Sequence, residues 1–231
     1  MPAEFISAIN PNADSDTNPG SSGFDRDYAR RYARALDDGG FDYTLVAYHS
    51  SRADANQFAQ FVVNETEHLK AMLAHRPGVI FPTHAARMFA TLDQIAAGRL
   101  AVHIISGGND AEQRREGDYL SKEQRYERSD EYIRILRRAW TETGEFSFHG
   151  RHYRFENFRS DVRPHQELIP ISVGGSSEAA YRVGGRLGDI FGLWGEPLRE
   201  TAEQIAAVHA HADAVGRPRP RIWVSFRPII A

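Results

Sequence analysis

A run of glycine and serine residues in this chain has the chemistry of an anion-binding turn. Gly174, Gly175, Ser176 and Ser177 follow an apolar segment and precede a helical one. Glycines let the backbone approach a ligand closely, and free amides at a helix start favour negative charge. The two hydroxyls add donors, so the run suits a phosphate group. A strand-to-helix turn with a serine cap explains the same residues without a ligand.

Two further segments have residue types that suit a ligand. Arg125 and Tyr126 stand near the entrance of a predicted helix, where a cation and a phenol also suit phosphate. Packing of Tyr126 against a following hairpin is the alternative. Ser106 begins a Ser-Gly-Gly sequence at the end of a predicted strand, where barrel enzymes place their sites. This loop either admits a flat cofactor ring or is a simple turn.

Trp194 and Arg227 each stand at the end of a predicted strand. A tryptophan there can wall a substrate or cofactor pocket, although aromatic residues more often belong to the core. An arginine there can pair with an anionic substrate, since its planar fork matches an oxyanion. A salt bridge at the rim is the alternative for Arg227.

Composition excludes several classes of function. The chain has no cysteine, which excludes a disulfide framework, a thiolate metal site and a cysteine nucleophile. The ten histidines form no set with metal-ligand spacing, so we expect no metal. A net charge of −3, spread along the chain, gives no basic surface for nucleic acid. No apolar run is long enough to cross a membrane and no secretory signal is visible, so we expect a cytoplasmic protein.

The elements that must position these residues alternate between strand and helix. This rhythm predicts an α/β fold with a parallel sheet covered by helices. The predicted strands are 5–9, 43–48, 69–75, 100–105, 169–173, 189–193 and 222–226. The clearest predicted helices are 27–38, 55–66, one capped by Thr83, one beginning at Ser129, and 178–187.

A polar stretch, a helix and a hairpin interrupt the rhythm between the fourth and fifth strands. Four aromatic residues alternate around His149-Gly150-Arg151, which is a hairpin pattern. We therefore expect one domain, residues 1–231, folded as a TIM-type (β/α) barrel with an inserted helix–hairpin region. An eight-stranded barrel takes about 250 residues, so we also expect the barrel to be truncated after its seventh strand, with its first and seventh strands unpaired.

From Thr83 onward the chain resembles the luciferase-like flavin-dependent monooxygenases. The resemblance is carried by Thr91-Leu92-Asp93, Gly98-Arg99, Arg125-Tyr126, the Gly-Gly-Ser-Ser turn and Trp194-Gly195-Glu196-Pro197, in that order. The last run and the charged stretch 109–118 are most similar to the alkanesulfonate monooxygenase branch.

The resemblance implies a two-component enzyme that uses reduced FMN from a separate flavin reductase, together with oxygen. For a sulfonate, the carbon–sulfur bond would break to give sulfite and an aldehyde. Ser106 would lie near the flavin ring, and Trp194 and Arg227 would line the substrate end. The residues implied to hold the phosphate are Lys122, Tyr126, Gly175, Ser176 and Ser177. Lys122 stands where the family often has a histidine, and a lysine can meet a phosphate as a point charge.

Two alternatives keep the same fold. One is an oxidoreductase that uses a deazaflavin as its hydride carrier, and the other is a flavin-binding relative without turnover. In each case we expect a homo-oligomer with a small-molecule ligand, and for the leading hypothesis an organosulfur substrate.

Overall fold

The fold is built on a parallel sheet whose strands follow one another in chain order. The computed structural model describes residues 3–13 and 23–226. Its strands and helices are β1 Ile6–Ile9, α1 Arg26–Asp38, β2 Tyr43–Val46, α2 Ala55–Asn64, β3 Lys70–His75, α3 Pro82–Ile95, β4 Leu100–Ile104, α4 Asp110–Arg115, α5 Lys122–Thr141, β5 Phe146–His149, β6 Arg154–Phe158, β7 Ile171–Gly174, α6 Glu178–Leu187, β8 Ile190–Leu193, α7 Leu198–Asp213 and β9 Arg221–Val224.

Seven strands form the main sheet, in the order β1-β2-β3-β4-β7-β8-β9, and all neighbours are parallel. The other two, β5 and β6, form the predicted antiparallel hairpin, in which Phe148 pairs with Phe155. The α/β barrel architecture with an inserted helix–hairpin region is therefore confirmed. Helices cover the outer face, which is why the strands lack a polar side.

The sheet curls until side chains from its two edges meet. Glu4, just before β1, accepts hydrogen bonds from Arg221 at 2.9 and 3.0 Å and from Trp223 Nε1 at 3.0 Å. The rings of Tyr43 and Trp223 lie 4.9 Å apart, centroid to centroid. No backbone pairing joins β1 to β9 within the described residues, so this part of the wall is bridged only by side chains.

The apolar residues form two separate layers. The larger core lies between the sheet and the helices and includes Leu73, Phe89 and Ile133, all fully buried. A smaller cluster lies inside the curl and consists of Tyr43, Met72 and Ala101, with Ile6, Leu45 and Trp223 packed against it. The apolar packing inside the curl is therefore a small group of residues from β1, β2, β3, β4 and β9.

Helix α3 begins one residue before the predicted cap. Its first residue is Pro82, its N-cap is Phe81 with no side-chain cap, and Thr83 lies inside the first turn. Proline suits this position because its ring presets the helical φ and it has no amide that needs a partner. The prediction that Thr83 caps the helix is wrong.

Helix α5 begins about two turns before the predicted start at Ser129. Ser121 caps it, with Gln124 completing the reciprocal capping box at 2.9 and 3.3 Å. Ser129 lies within the helix and donates to the Arg125 carbonyl. The first turns were missed because their inward face carries Arg125, Tyr126 and Arg128 instead of aliphatic residues.

Candidate functional site

The glycine–serine run forms the turn between β7 and α6, at the carboxyl edge of the sheet. Ser177 is the N-cap of α6, and its side chain accepts from the Ala180 amide at 3.4 Å. Gly175 has φ of +141°, a conformation that side chains rarely adopt, and a Cβ there would lie 2.5 Å from the Tyr126 hydroxyl. The turn therefore needs glycine both for its backbone and for the approach of Tyr126.

Tyr126 brings the second predicted cluster to the same place. It lies on α5, is 5% exposed, and lies near enough to the Ser177 side chain for that hydroxyl to affect its pKa. Burial raises the pKa of the Tyr126 phenol, against smaller lowering effects of Ser177 and Arg125. The phenol is therefore a proton-bearing donor beside the start of a helix, which is a suitable environment for a phosphate.

The remaining residues predicted for this site are exposed. Ser176 is exposed in the turn, and Lys122 is exposed at the first position of α5, one turn before Tyr126. Beside Lys122, Glu123 accepts from Arg182 of α6 at 2.5 Å. This exposed ion pair joins the start of α5 to α6, the two helices that contribute Tyr126 and Ser177.

Ser106 is directed away from the inside of the barrel. It is 5% exposed, and its hydroxyl lies 2.9 Å from Ser129 Oγ. Since the Ser129 hydroxyl donates to the Arg125 carbonyl, Ser106 donates to Ser129. The Ser106 carbonyl accepts from Arg125 Nε at 2.9 Å. The hydroxyl and the carbonyl of Ser106 are therefore both bonded to residues of α5.

The loop after Ser106 is fixed by one buried arginine. Arg125, 2% exposed, also donates to the carbonyls of Leu120 and Gly107 and to Asp110. Gly107 has φ of +79°, and a Cβ there would clash with the Gln113 side chain. These contacts hold the glycine loop in one conformation.

Of the two residues predicted at the substrate end, Trp194 lies within the described residues. Trp194 follows β8 and is 75% exposed. Gly195 beside it has φ of +80° and approaches the Ser225 carbonyl after β9 too closely for any side chain. Arg227 lies outside the described residues. The described chain thus places Trp194 at the carboxyl edge, next to the strand that leads to Arg227.

Sequence reasoning missed a charged cluster at the ends of β2 and β3. Arg76 is 3% exposed and bonds Glu112 at 3.0 Å and Glu116 at 2.6 Å. Its guanidinium lies 4.7 Å from the centre of the Tyr48 ring, and the Tyr48 hydroxyl bonds Glu116. Burial and Glu116 raise the pKa of Tyr48. The signal that could have found this cluster is the pair Glu112 and Glu116, four residues apart in the charged stretch.

The cluster attaches α4 to the carboxyl ends of β2 and β3 through ion pairs. Partial burial raises the pKa of Glu112, but the Ser50 amide and Arg76 outweigh this effect, so the net pKa is lowered and the carboxylate is charged. Separating the carboxylates from the buried Arg76 guanidinium is unfavourable, because an unpaired charge would then remain buried. Within the described residues no three histidine or acidic side chains are grouped to hold a metal, and no helix is long and apolar enough to cross a membrane.

The fold and this edge together define a class of protein, a (β/α)-barrel in which a glycine turn, a helix start and a buried phenol converge. The chain belongs to the luciferase-like monooxygenase family, whose model matches residues 4–231.

Solved structures show the same fold at low identity. EDTA monooxygenase from Chelativorans sp. BNC1 has a TM-score of 0.83 and 18% identity, over 99% of this chain and 62% of that one. Riboflavin lyase, with modified FMN and its substrate riboflavin, has a TM-score of 0.79 and 21% identity, over 87% and 55%. The coenzyme F420-dependent tetrahydromethanopterin reductase from Methanopyrus kandleri has a TM-score of 0.80 and 16% identity, over 96% and 65%. The chain therefore spans a little over half to about two thirds of these proteins.

Proposed function

We propose that this chain is the barrel of a reduced-FMN-dependent monooxygenase in a two-component system, acting on a small organosulfur compound such as an alkanesulfonate. The observation that supports FMN as the cofactor is that Tyr126 lies beside the Gly175–Ser177 turn at the start of α6. Family membership supports the oxygenase chemistry. The similarity of Trp194-Gly195-Glu196-Pro197 to the alkanesulfonate branch supports the substrate.

The residues at this turn fit a flavin phosphate. Gly175 lets the Tyr126 hydroxyl approach the turn more closely than a Cβ would allow. The Tyr126 phenol and the hydroxyls of Ser176 and Ser177 are donors, and helix starts favour anions. Lys122 adds a positive charge one turn from Tyr126. Tyr126, Ser176, Ser177 and Lys122 would hold the phosphate.

The protein's own contribution is to bind, orient and exclude water. Bound reduced FMN supplies the electrons for the activation of oxygen. The Ser106–Gly107 backbone, fixed by Arg125, would border the flavin ring. Trp194 would cover the substrate end, and Arg227 would neutralise the sulfonate with its planar fork.

A coupled assay tests this proposal. The full chain would be mixed with FMN, a flavin reductase and its reductant, and a panel of alkanesulfonates, sulfones and long-chain aldehydes. We expect oxygen consumption with release of sulfite from at least one sulfonate. Arg227→Lys should impair sulfonate turnover while FMN binding stays intact. Oxygen consumption without release of sulfite would contradict the assignment of a sulfonate substrate. The absence of substrate-dependent oxygen consumption would contradict the assignment of monooxygenase activity.

A deazaflavin-dependent oxidoreductase is the second candidate, because structures that use F420 share the fold. Titration of the chain with FMN and with F420, followed by absorbance of the bound cofactor, distinguishes the two. A chain that binds FMN but consumes no oxygen would instead be a binding protein. The proposal further includes a homo-oligomer located in the cytoplasm.

A further inference from the structure

His103 is a half-buried histidine on the inner face of the barrel, outside the residues proposed to hold the phosphate. It lies on β4, where its register partners are Ala74 of β3 and Ser172 of β7. Paired residues of parallel strands face the same side, and Ala101, two residues earlier, belongs to the inner cluster. His103 Nδ1 lies 2.9 Å from the hydroxyl of Ser172, which is fully buried.

The Ser172 hydroxyl determines where the imidazole proton lies. Within the described residues its only hydrogen-bond partner is His103 Nδ1. A buried hydroxyl proton without an acceptor is unfavourable. Ser172 therefore donates to Nδ1, and a neutral ring must carry its own proton on Nε2. Burial lowers the pKa of His103 to about 4, so the ring is neutral at physiological pH.

The Nε2 edge of the ring lies over two glycines. A Cβ at Gly174 would be 2.9 Å from His103 Cε1 and 3.1 Å from Nε2, and one at Gly192 would be 3.5 Å from Cε1. Neither β7 nor β8 therefore places a side chain over this edge. No described protein atom accepts a hydrogen bond from Nε2. The edge is a fixed donor, and Gly174 beside it begins the turn proposed to bind phosphate.

We propose that His103 is a specificity-determining residue whose Nε2–H donates to an acceptor atom of the ring system bound at the barrel mouth, and that Ser172 is its positioning residue. The identity of that acceptor, a carbonyl on the pyrimidine half of a flavin or deazaflavin, rests on the proposed function. The Nδ1 atom of the neutral imidazole already accepts from Ser172, so only Nε2–H is free to contact the bound ring. This N–H favours a ring that has an acceptor oxygen at this position over a ring that has a hydrogen-bond donor there.

The first test reads the tautomer without any ligand. Heteronuclear NMR of histidine-labelled full chain should show His103 protonated at Nε2 and unprotonated at Nδ1 at neutral pH. Ser172→Ala should abolish the fixed tautomer, and Ser172→Thr, which keeps the hydroxyl, should retain it. Protonation at Nδ1 in the unmodified chain would overturn the role of Ser172.

The second test measures binding of FMN and of F420 to the folded variants. His103→Leu should weaken binding of the cofactor about tenfold, the value of roughly one hydrogen bond. His103→Asn keeps a donor and should stay within about threefold. Gly174→Ala, whose methyl presses on the ring, should act like His103→Leu, whereas His84→Leu on the exposed face of α3 should change nothing.

The outcomes separate this inference from the proposed function. Unchanged affinity in His103→Leu, with normal binding to the unmodified chain, overturns the donor role and leaves the proposed function standing. If neither cofactor binds the unmodified chain, the proposed function fails and the assignment of the acceptor fails with it. The tautomer measurement then still decides the role of Ser172 by itself.

Discussion

Ser176 is the residue at which the proposed phosphate site is most simply tested. It is exposed, so a substitution does not disturb the core, and it lies next to the Ser177 cap. Ser176→Asp would place a negative charge beside the phosphate, and like charges at close range are unfavourable. We expect FMN binding to weaken at least tenfold, about 1.4 kcal/mol, in a fluorescence titration.

Ser176→Asn is the matched control, because asparagine has the size of aspartate without its charge. It should bind FMN within about threefold of the unmodified chain. Equal losses in both variants would mean that size, not charge, matters at this position. No loss in Ser176→Asp would place the phosphate elsewhere.

A second residue-scale prediction concerns His75, whose pKa is lowered by burial to about 3. Its Nε2 lies 2.7 Å from the Tyr132 hydroxyl, which donates to the Ile80 carbonyl. An unfolded histidine takes up a proton near pH 6.5, but folded His75 does so only near pH 3. The unfolded state therefore binds more protons between these values, and the free energy of unfolding decreases as pH falls.

The window from pH 6.5 to 5 isolates this effect, because carboxylates titrate mostly below it. His75 should contribute a loss of about 2 kcal/mol there, and His103, with its pKa near 4, a similar loss. Urea unfolding of His75→Leu should show a shallower pH dependence than the unmodified chain, while His84→Leu should show the same one. An unchanged slope in His75→Leu would mean that folded His75 is protonated in this window.

At the scale of elements, the start of α5 decides how the inserted region joins the site. Ser121 caps the helix, and its loss should cost about 1 kcal/mol. We expect Ser121→Ala to lower the free energy of unfolding by this amount, whereas Ser121→Asp, which retains a capping oxygen, should cost only a few tenths. If Ser121→Ala is neutral in chemical unfolding, the helix begins further along the chain.

Most elements of the fold could be predicted from the sequence, and the start of α5 could not. All seven strands and α6 follow from apolar runs bounded by glycine or polar turns, and the hairpin follows from its alternating aromatics. The start of α5 did not, since buried arginines break the apolar periodicity on which helix prediction depends. Those arginines are buried because Asp110 and Asp118 pair with them, and such pairing is visible only in three dimensions.

The candidate site was predictable in parts. Tyr126 and Ser177 were each identified from local residue types, and the order of barrel strands implies that both lie at the carboxyl edge. Their proximity was not predictable, because it depends on the close approach of Tyr126 that Gly175 allows. The pair His103 and Ser172 was missed for the same reason, since neither residue has a local signal and each gains its role from the other.

At the scale of the whole molecule, the curl of the sheet brings β1 and β9 close together. β1 and β9 are the two edges of the sheet, and edges expose unpaired backbone groups. Across this gap the bonds of Glu4 to Arg221 and Trp223 hold the amino-terminal ends of the strands together. The same curl keeps β4, β7 and β8 close enough for His103 to lie over Gly174 and Gly192.

Glu4→Gln tests whether these bonds maintain the curl. Glutamine can still accept from Trp223, but it loses the paired charge of Arg221, and both partners are partly exposed, with side-chain exposures of 38% for Arg221 and 28% for Glu4. We expect a loss of about 1 kcal/mol, which lowers the melting temperature by about 2–4 °C. Amide hydrogen exchange should accelerate in β1 and β9 and stay unchanged in β3 and β4, which are paired on both sides.

Glu203→Gln, which removes a partner from the exposed ion pair with Arg199 on α7, is the control and should change neither quantity. Faster exchange spread evenly over all seven strands would show that Glu4 acts on global stability and not on the closure of this gap.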